Sequence, residues 1–326
     1  MITRRRVVFA LGACAFAPLA SFAQPRKVWR VGFLWESDQS VYIPFFDAFK
    51  AGMSALGYAE GRDYVIEHRS AQADYGRLPA VAAEMVALKV DVIISSGTPS
   101  AVAASKATGD IPILITNVGD PISIGLAASL ARPGGNVTGL TSLSSELITK
   151  RLDLLHQLLP RMRRVALLYD PNNRSDALNL SRFESDCGKL KIQPIRAPAR
   201  NAGEMAAVFK ILARDKAQAL IVTGAATNAA SLDRIIEHAA KLRLPTAYNN
   251  SYMAKSGGLI SYGQDVPDRY RRIAVFVDKI FKGAKPGDLP IEQPMRFEFV
   301  VNMKTARALG IKIPNSILVQ ATKVIE

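Results

Sequence analysis

The chain has 326 residues, 49% of them hydrophobic, and carries a formal charge of +14. That length allows two domains, each with a substantial core. Beyond the first two dozen residues, no segment approaches the roughly 20 apolar residues that cross a bilayer.

Residues 1–23 combine a basic head (Arg4, Arg5, Arg6), an apolar run from Val7 to Leu19, and small residues at Ser21 and Ala23. This is the pattern of an export signal cleaved after Ala23, so the expected location is the periplasm. Cys14, at the end of Leu11-Gly12-Ala13-Cys14, is an alternative lipid-attachment point, but the apolar run continues past it to a better processing site. After cleavage the charge is +11 and Cys187 is the one cysteine left, which excludes an internal disulfide and a cysteine-based metal site. Arg and Lys are spread along the whole length with no nucleic-acid-binding motif, so no nucleic-acid partner is expected.

The first unit begins with a strand at 28–35 and a helix at 45–56, with Phe45, Phe49, Met53 and Leu56 at helical spacing and Gly57 closing it. A strand at 65–70 and a helix at 78–88 follow. The next stretch, 90–101, passes from a β-branched run (Val90, Val92, Ile93, Ile94) through Ser95-Ser96-Gly97-Thr98 into a helix begun by Pro99. Backbone N–H groups and hydroxyls then lie at the carboxyl end of a parallel strand, where open α/β sheets take ligands. Another strand, 111–118, ends in Thr116-Asn117, and strand 137–143 leads out of this unit. Strands alternating with helices through short links predict a parallel, doubly wound sheet.

From Arg163 the pattern repeats. RRVALLYD matches WRVGFLWE, residues 217–230 echo the 90–101 turn and helix, and LPTAYNN at 244–250 echoes IPILITN at 111–117. The expected architecture is therefore α/β with two similar Rossmann-like lobes, lobe one at 24–143 and 262–290 and lobe two at 144–261 and 291–326. The chain would cross between them three times, as in a hinge.

Enzyme motifs are absent. His68, His156 and His238 fall in three different elements without ligand spacing, and there is no GxSxG, P-loop or GxGxxG. No catalytic residue, metal or cofactor is expected. What remains is a set of polar and aromatic residues at strand ends facing the inferred cleft. Lobe one would contribute Trp35, Gly97, Thr98, Ser100, Thr116, Asn117, Asp120 and Thr141, with Asp265 beside the hinge; lobe two would contribute Tyr169, Asn172, Thr223, Tyr248 and Asn249. Hydroxyls and amides suit a carboxylate, Asp120 or Asp265 an ammonium, and the aromatic rings a planar group.

Three long segments carry a resemblance: the leader at 4–24, GDPISIGLAASLARPGGNVTGLTSL at 119–143, and residues 289–326. In these the chain resembles substrate-binding proteins of ABC transporters, in the subfamily that includes tryptophan and tyrosine uptake proteins. The resemblance implies a type I periplasmic binding fold whose lobes close on a solute, acting as a monomer that delivers it to a membrane permease. It also implies ligand contacts at Gly97-Thr98, Asp120 and Thr141. VTGAATNAA at 222–230 departs from the Asp-Asn of tryptophan-type members, which leaves a small carboxylate-bearing solute, an amino acid or aromatic acid, as the expectation. A periplasmic sensor, or a hydrolase or isomerase on the same fold, are the alternatives.

Overall fold

The computed structural model describes residues 27–37 and 43–326; the leader and its cleavage site lie outside the described residues. The first part of the chain runs β1 (Trp29–Trp35), α1 (Ile43–Ala55), β2 (Tyr64–Ser70), α2 (Leu78–Ala87), β3 (Val92–Ser95), α3 (Thr98–Ala107), β4 (Ile113–Val118) and β5 (Val137–Thr141). It continues with α4 (Ser144–Leu158), β6 (Arg164–Tyr169), α5 (Arg174–Lys189), β7 (Gln193–Pro198), α6 (Met205–Arg214), β8 (Leu220–Val222), α7 (Ala226–Ala230), α8 (Leu232–Lys241), β9 (Thr246–Tyr248) and α9 (Ser251–Lys255). The last elements are β10 (Ile260–Gln264), α10 (Val266–Phe281), β11 (Phe297–Asn302), α11 (Met303–Leu309), α12 (Asn315–Leu318) and β12 (Lys323–Ile325).

Two sheets result. Five parallel strands in the order β2-β1-β3-β4-β5 form the first, and the order β7-β6-β8-β9-β10 repeats it in the second. The three echoed sequence segments fall on β1 and β6, β3 and β8, and β4 and β9, at equivalent places in the two orders. β11 and β12 widen the second sheet to seven strands. There the parallel expectation is corrected, because β11 runs antiparallel to β10. β10 leaves its sheet toward the hinge and β11 enters from it, so the two must run in opposite directions.

The inner strands of both sheets are covered on both faces, which is why β3, β6 and β8 read as short apolar runs, whereas the edge strands β2 and β7 also carry polar residues. In the first, Val31, Phe33 and Trp35 pack against α1 and α10, while Leu34, Ile93 and Ile115 pack against α2 and α3. In the second, α4, α5, α11 and α12 cover one face and α6, α8 and α9 the other. Cys187 lies on the buried face of α5 with Phe183, packed in the same core as Leu155.

The chain passes between the sheets at three places. The first is 142–143, after β5, where Leu143 is left-handed with φ of 47°. The second follows Gln264, where Asp265 caps α10 by accepting the Asp268 N–H at 2.9 Å. The third is 293–296, since Glu292 is still bridged to Leu140 of the first sheet. The second and third crossings thus lie a little beyond the expected breaks at 262 and 291. Among the described residues, no helix is long and apolar enough to cross a membrane.

Candidate functional site

The carboxyl ends of both sheets face one another, and the lobes touch: Thr98 Oγ1 at the start of α3 lies 2.6 Å from Ser175 Oγ at the start of α5. Beside this contact is a cavity of about 50 Å³. Its walls come from both lobes and from the hinge.

Lobe one supplies Glu36, the residue after β1. Gly97 lies directly against its carboxylate, so closely that a Cβ at position 97 would overlap it. The Ser100 N–H and Oγ both donate to Glu36 Oε1 at 2.9 Å. Burial pushes the Glu36 carboxyl up to about 7 against those two bonds, and the negative charges of Asp176 and Asp170 on the other lobe add to the rise.

Lobe two supplies Asp176 and Asn179 from one face of α5, Thr223 after β8, and Asn249 and Asn250 after β9. Asp176 accepts from the Asp170 N–H at 2.8 Å, Thr223 Oγ1 at 2.7 Å and Asn179 Nδ2 at 3.0 Å. Burial still raises its carboxyl to about 6. From α4, Arg151 reaches the cavity with its Nε donating to the Tyr262 carbonyl at 2.8 Å. Burial lowers this guanidinium to about 10, and four of its five N–H donors remain for other acceptors. Glu36, Asp176 and Arg151 are all buried, and none forms an ion pair among the described residues.

The hinge supplies Gln264 and Arg269. Arg269 Nη1 donates to Gln264 Oε1 at 2.8 Å and to Asn117 Oδ1 at 3.3 Å, and Gln264 Nε2 donates to the Thr141 carbonyl at 3.2 Å. Two wall atoms, Ser144 Oγ and Asn249 Oδ1, are buried without a hydrogen-bond partner.

Of the residues expected in the site, Gly97, Thr98, Asn117, Thr223 and Asn249 line the cavity. The other nine lie off its wall, each for a physical reason. Trp35 points into the core between Phe33, Phe46 and Tyr270. Tyr248 is buried among Phe209, Ile235 and Met253, and Tyr169 packs half-buried on the α4–α5 side. Ser100 lies behind Glu36 and holds it. Thr116 Oγ1 is turned to the Ser95 carbonyl at 3.0 Å. Asp120 caps its own turn through the Ile122 and Ser123 N–H groups. The Thr141 carbonyl accepts from Gln264 and its N–H donates to the Glu292 carbonyl; the Asn172 N–H closes a turn on Asp170 Oδ1; and Asp265 caps α10.

The charged wall residues were not among those expected, yet two carried a readable signal. Arg151 lies in the stripe Leu147, Ile148, Leu152 and Leu155, the buried face of α4, and Asp176 and Asn179 lie on the face of α5 that also buries Phe183. A charge on the apolar face of a helix demands a partner. The three histidines are dispersed, His238 stacking on Phe209 and His68 meeting the Phe46 ring edge-on.

Residues 41–325 match the family model described as ABC transporter substrate binding protein. The chain belongs to that family. This substrate-binding protein is 28% identical over 278 residues to a Tyrosine-binding protein of Clostridioides difficile (strain R20291), covering 84% of this chain and 80% of the relative. Among solved structures it is similar to a conserved domain protein from Vibrio cholerae O1 biovar eltor, with a TM-score of 0.86 and 26% identity over 91% of this chain and all of that one. It also resembles an ABC domain in complex with L-Trp from Streptococcus pneumoniae, with a TM-score of 0.85 and 24% identity over 92% of this chain and all of that one. The fold is the type I periplasmic binding protein fold. Substrate-binding proteins of this kind take up small solutes outside the cytoplasmic membrane for an ABC permease.

Proposed function

We propose that this protein is exported by a leader cleaved after Ala23 and captures a zwitterionic α-amino acid in the periplasm for its permease. The observation that carries this reading is the convergence of buried, unpaired charges of both signs on one small cavity. Burying a charge without a directly paired counter-charge costs several kcal/mol; Arg151 and Asp176 attract one another without forming an ion pair, and a solute that pairs directly with Glu36, Asp176 and Arg151 adds to that attraction. An α-ammonium against Glu36 and Asp176, with an α-carboxylate against Arg151, does so with one molecule. Ser144 Oγ and Asn249 Oδ1 would gain partners at the same time.

The wall also bears on the side chain. It contains no aromatic ring among the described lining residues, and Leu147 is its one large apolar member. That supports a small or polar side chain, unlike the aromatic ones named for two of the relatives.

A thermal-shift screen of the mature protein tests this. Free L-amino acids are compared with their N-acetyl and carboxamide derivatives, each of which removes one charge. The expected result is a rise in Tm with at least one free amino acid and none with its blocked forms. An equal rise with an amine-free acid would refute the zwitterion reading.

A further inference from the structure

Besides Thr98–Ser175 on the cavity wall and the bonds at the hinge, a hydrogen bond joins the lobes away from both. The Tyr75 hydroxyl of lobe one accepts the backbone N–H of Ala226 in lobe two at 3.2 Å. Ala226 is the first residue of α7, where a backbone N–H has no acceptor within its own helix.

Tyr75 is carried by a short turn, Tyr75–Arg77, capped by Asp74, which accepts the Gly76 N–H at 2.9 Å. The approach to that turn is unusual. Gln72 and Ala73 have φ of 56° and 63°, a left-handed pair in a region that side chains seldom enter. Such a conformation persists only where the surroundings impose it. Here the Ala71 N–H donates to the Trp35 carbonyl at 3.0 Å, the Gln72 N–H to Ser70 Oγ at 2.9 Å, and the Ala73 N–H to the Glu36 carbonyl at 2.7 Å. The loop therefore grips the end of β1, which brings Glu36 to the cavity, and extends Tyr75 to the opposite lobe. Burial holds the phenol well above its ordinary pKa, with the charges of Glu36, Asp170 and Asp176 adding to the effect, so the hydroxyl stays protonated.

We propose that Tyr75 is a closure latch, a positioning residue that holds lobe two against lobe one without forming part of the solute cavity. Because it lies off the cavity wall, it acts on reopening and leaves recognition to the wall residues. The latch does not depend on which solute occupies the cleft.

The Ala226 amide reports it directly. Hydrogen exchange is measured on wild type and Tyr75→Phe, each alone and with an equimolar mixture of the twenty common L-amino acids. Tyr75→Phe keeps the ring and removes the acceptor, so the Ala226 amide should exchange about two- to twelvefold faster, the range of one net hydrogen bond, while amides in β1 and β6 are unchanged. Ala226→Pro removes the donor instead, and Ala225 (φ −59°, ψ 145°) already has the geometry that precedes a proline. Small-angle scattering in the amino-acid mixture should show both variants equally shifted toward the open form, and the double variant shifted no further. Equal Ala226 exchange in wild type and Tyr75→Phe under both conditions would overturn the latch. If the mixture has no effect on wild type while Tyr75→Phe still speeds exchange, the latch stands and the amino-acid reading fails.

Discussion

Raising the pH from 5 to 8 should open the empty cleft, and Glu36 sets the scale of the effect. In the closed arrangement its carboxyl is raised from 4.5 to about 7, chiefly by burial. The closed form therefore holds the proton more tightly than an open form whose Glu36 faces water. Between about pH 4.5 and 7 the closed form binds more protons, so it loses ground as pH rises through that window. Near pH 5 the penalty is largely relieved by protonation; at pH 8 it is present in full. The difference is on the order of 2 to 3 kcal/mol, or tens of fold in the ratio of closed to open protein. Asp176, raised to about 6, acts with the same sign. Small-angle scattering of the ligand-free mature protein at the two pH values measures this, and Glu36→Gln separates the contribution of Glu36. Wild type should have the larger radius of gyration at pH 8, and most of the change should disappear in the variant. A wild-type radius that does not vary with pH, or a variant that responds as fully as wild type, would refute the reasoning.

Arg151→Met, which retains the length of the side chain within the α4 stripe, should weaken amino-acid binding by about ten- to a hundredfold, as expected for the loss of a charged hydrogen bond; unchanged affinity in titration calorimetry would remove Arg151 from the carboxylate site. Ser100→Ala deletes one of two donors to Glu36 Oε1 without altering the cavity wall, so the midpoint of pH-dependent closure should move upward by about one pH unit. A midpoint that stays in place would show that the Ser100 N–H alone holds the carboxylate. Gly263→Ala would push a Cβ into the carbonyl oxygen of Asn249, just past the end of β9, and urea unfolding should show a loss of about 3 kcal/mol or more, as for severe overpacking.

The fold was legible because strands covered on both faces must be built largely from apolar residues, and the runs at 92–94, 113–115, 165–168 and 220–222 are uninterrupted. The repeat of those runs with their small polar turns was enough to infer two lobes, and the matching strand orders follow from it. β11 was harder, since a strand's direction depends on where the hinge delivers it and not on its composition. The site was only half legible. Strand ends point toward the cleft, which is why Gly97, Thr98, Asn117, Thr223 and Asn249 were reachable by reasoning from strand ends. The aromatic residues at the same ends were not distinguishable from ligand contacts, because successive strand residues alternate between the two layers of helices. Trp35 faces the same way as Phe33, into the α1–α10 layer, whereas Glu36, one residue on, reaches the cavity. The helical contributors required asking why a charge lies on an apolar stripe. Arg269 needed the fold itself, since only the hinge brings the first turn of α10 beside Asn117.

The division of these charges between lobes bears on how a permease could tell loaded protein from empty. Closing the empty cleft brings Glu36 toward Asp176 and Asp170, and all three are negative at neutral pH unless one takes up a proton. On the amino-acid reading, an ammonium between Glu36 and Asp176 turns that repulsion into two attractions, while a carboxylate relieves the buried guanidinium of Arg151. A simple amine would leave Arg151 with only the through-space attraction of Asp176, and a simple acid would leave the carboxylates opposed, so each recovers only part of the cost of closing. A ligand shifts an equilibrium only by the difference in its affinity for the two states, and here that difference is greatest for a molecule carrying both charges. Selection of the solute and stabilisation of the closed form therefore draw on the same side chains.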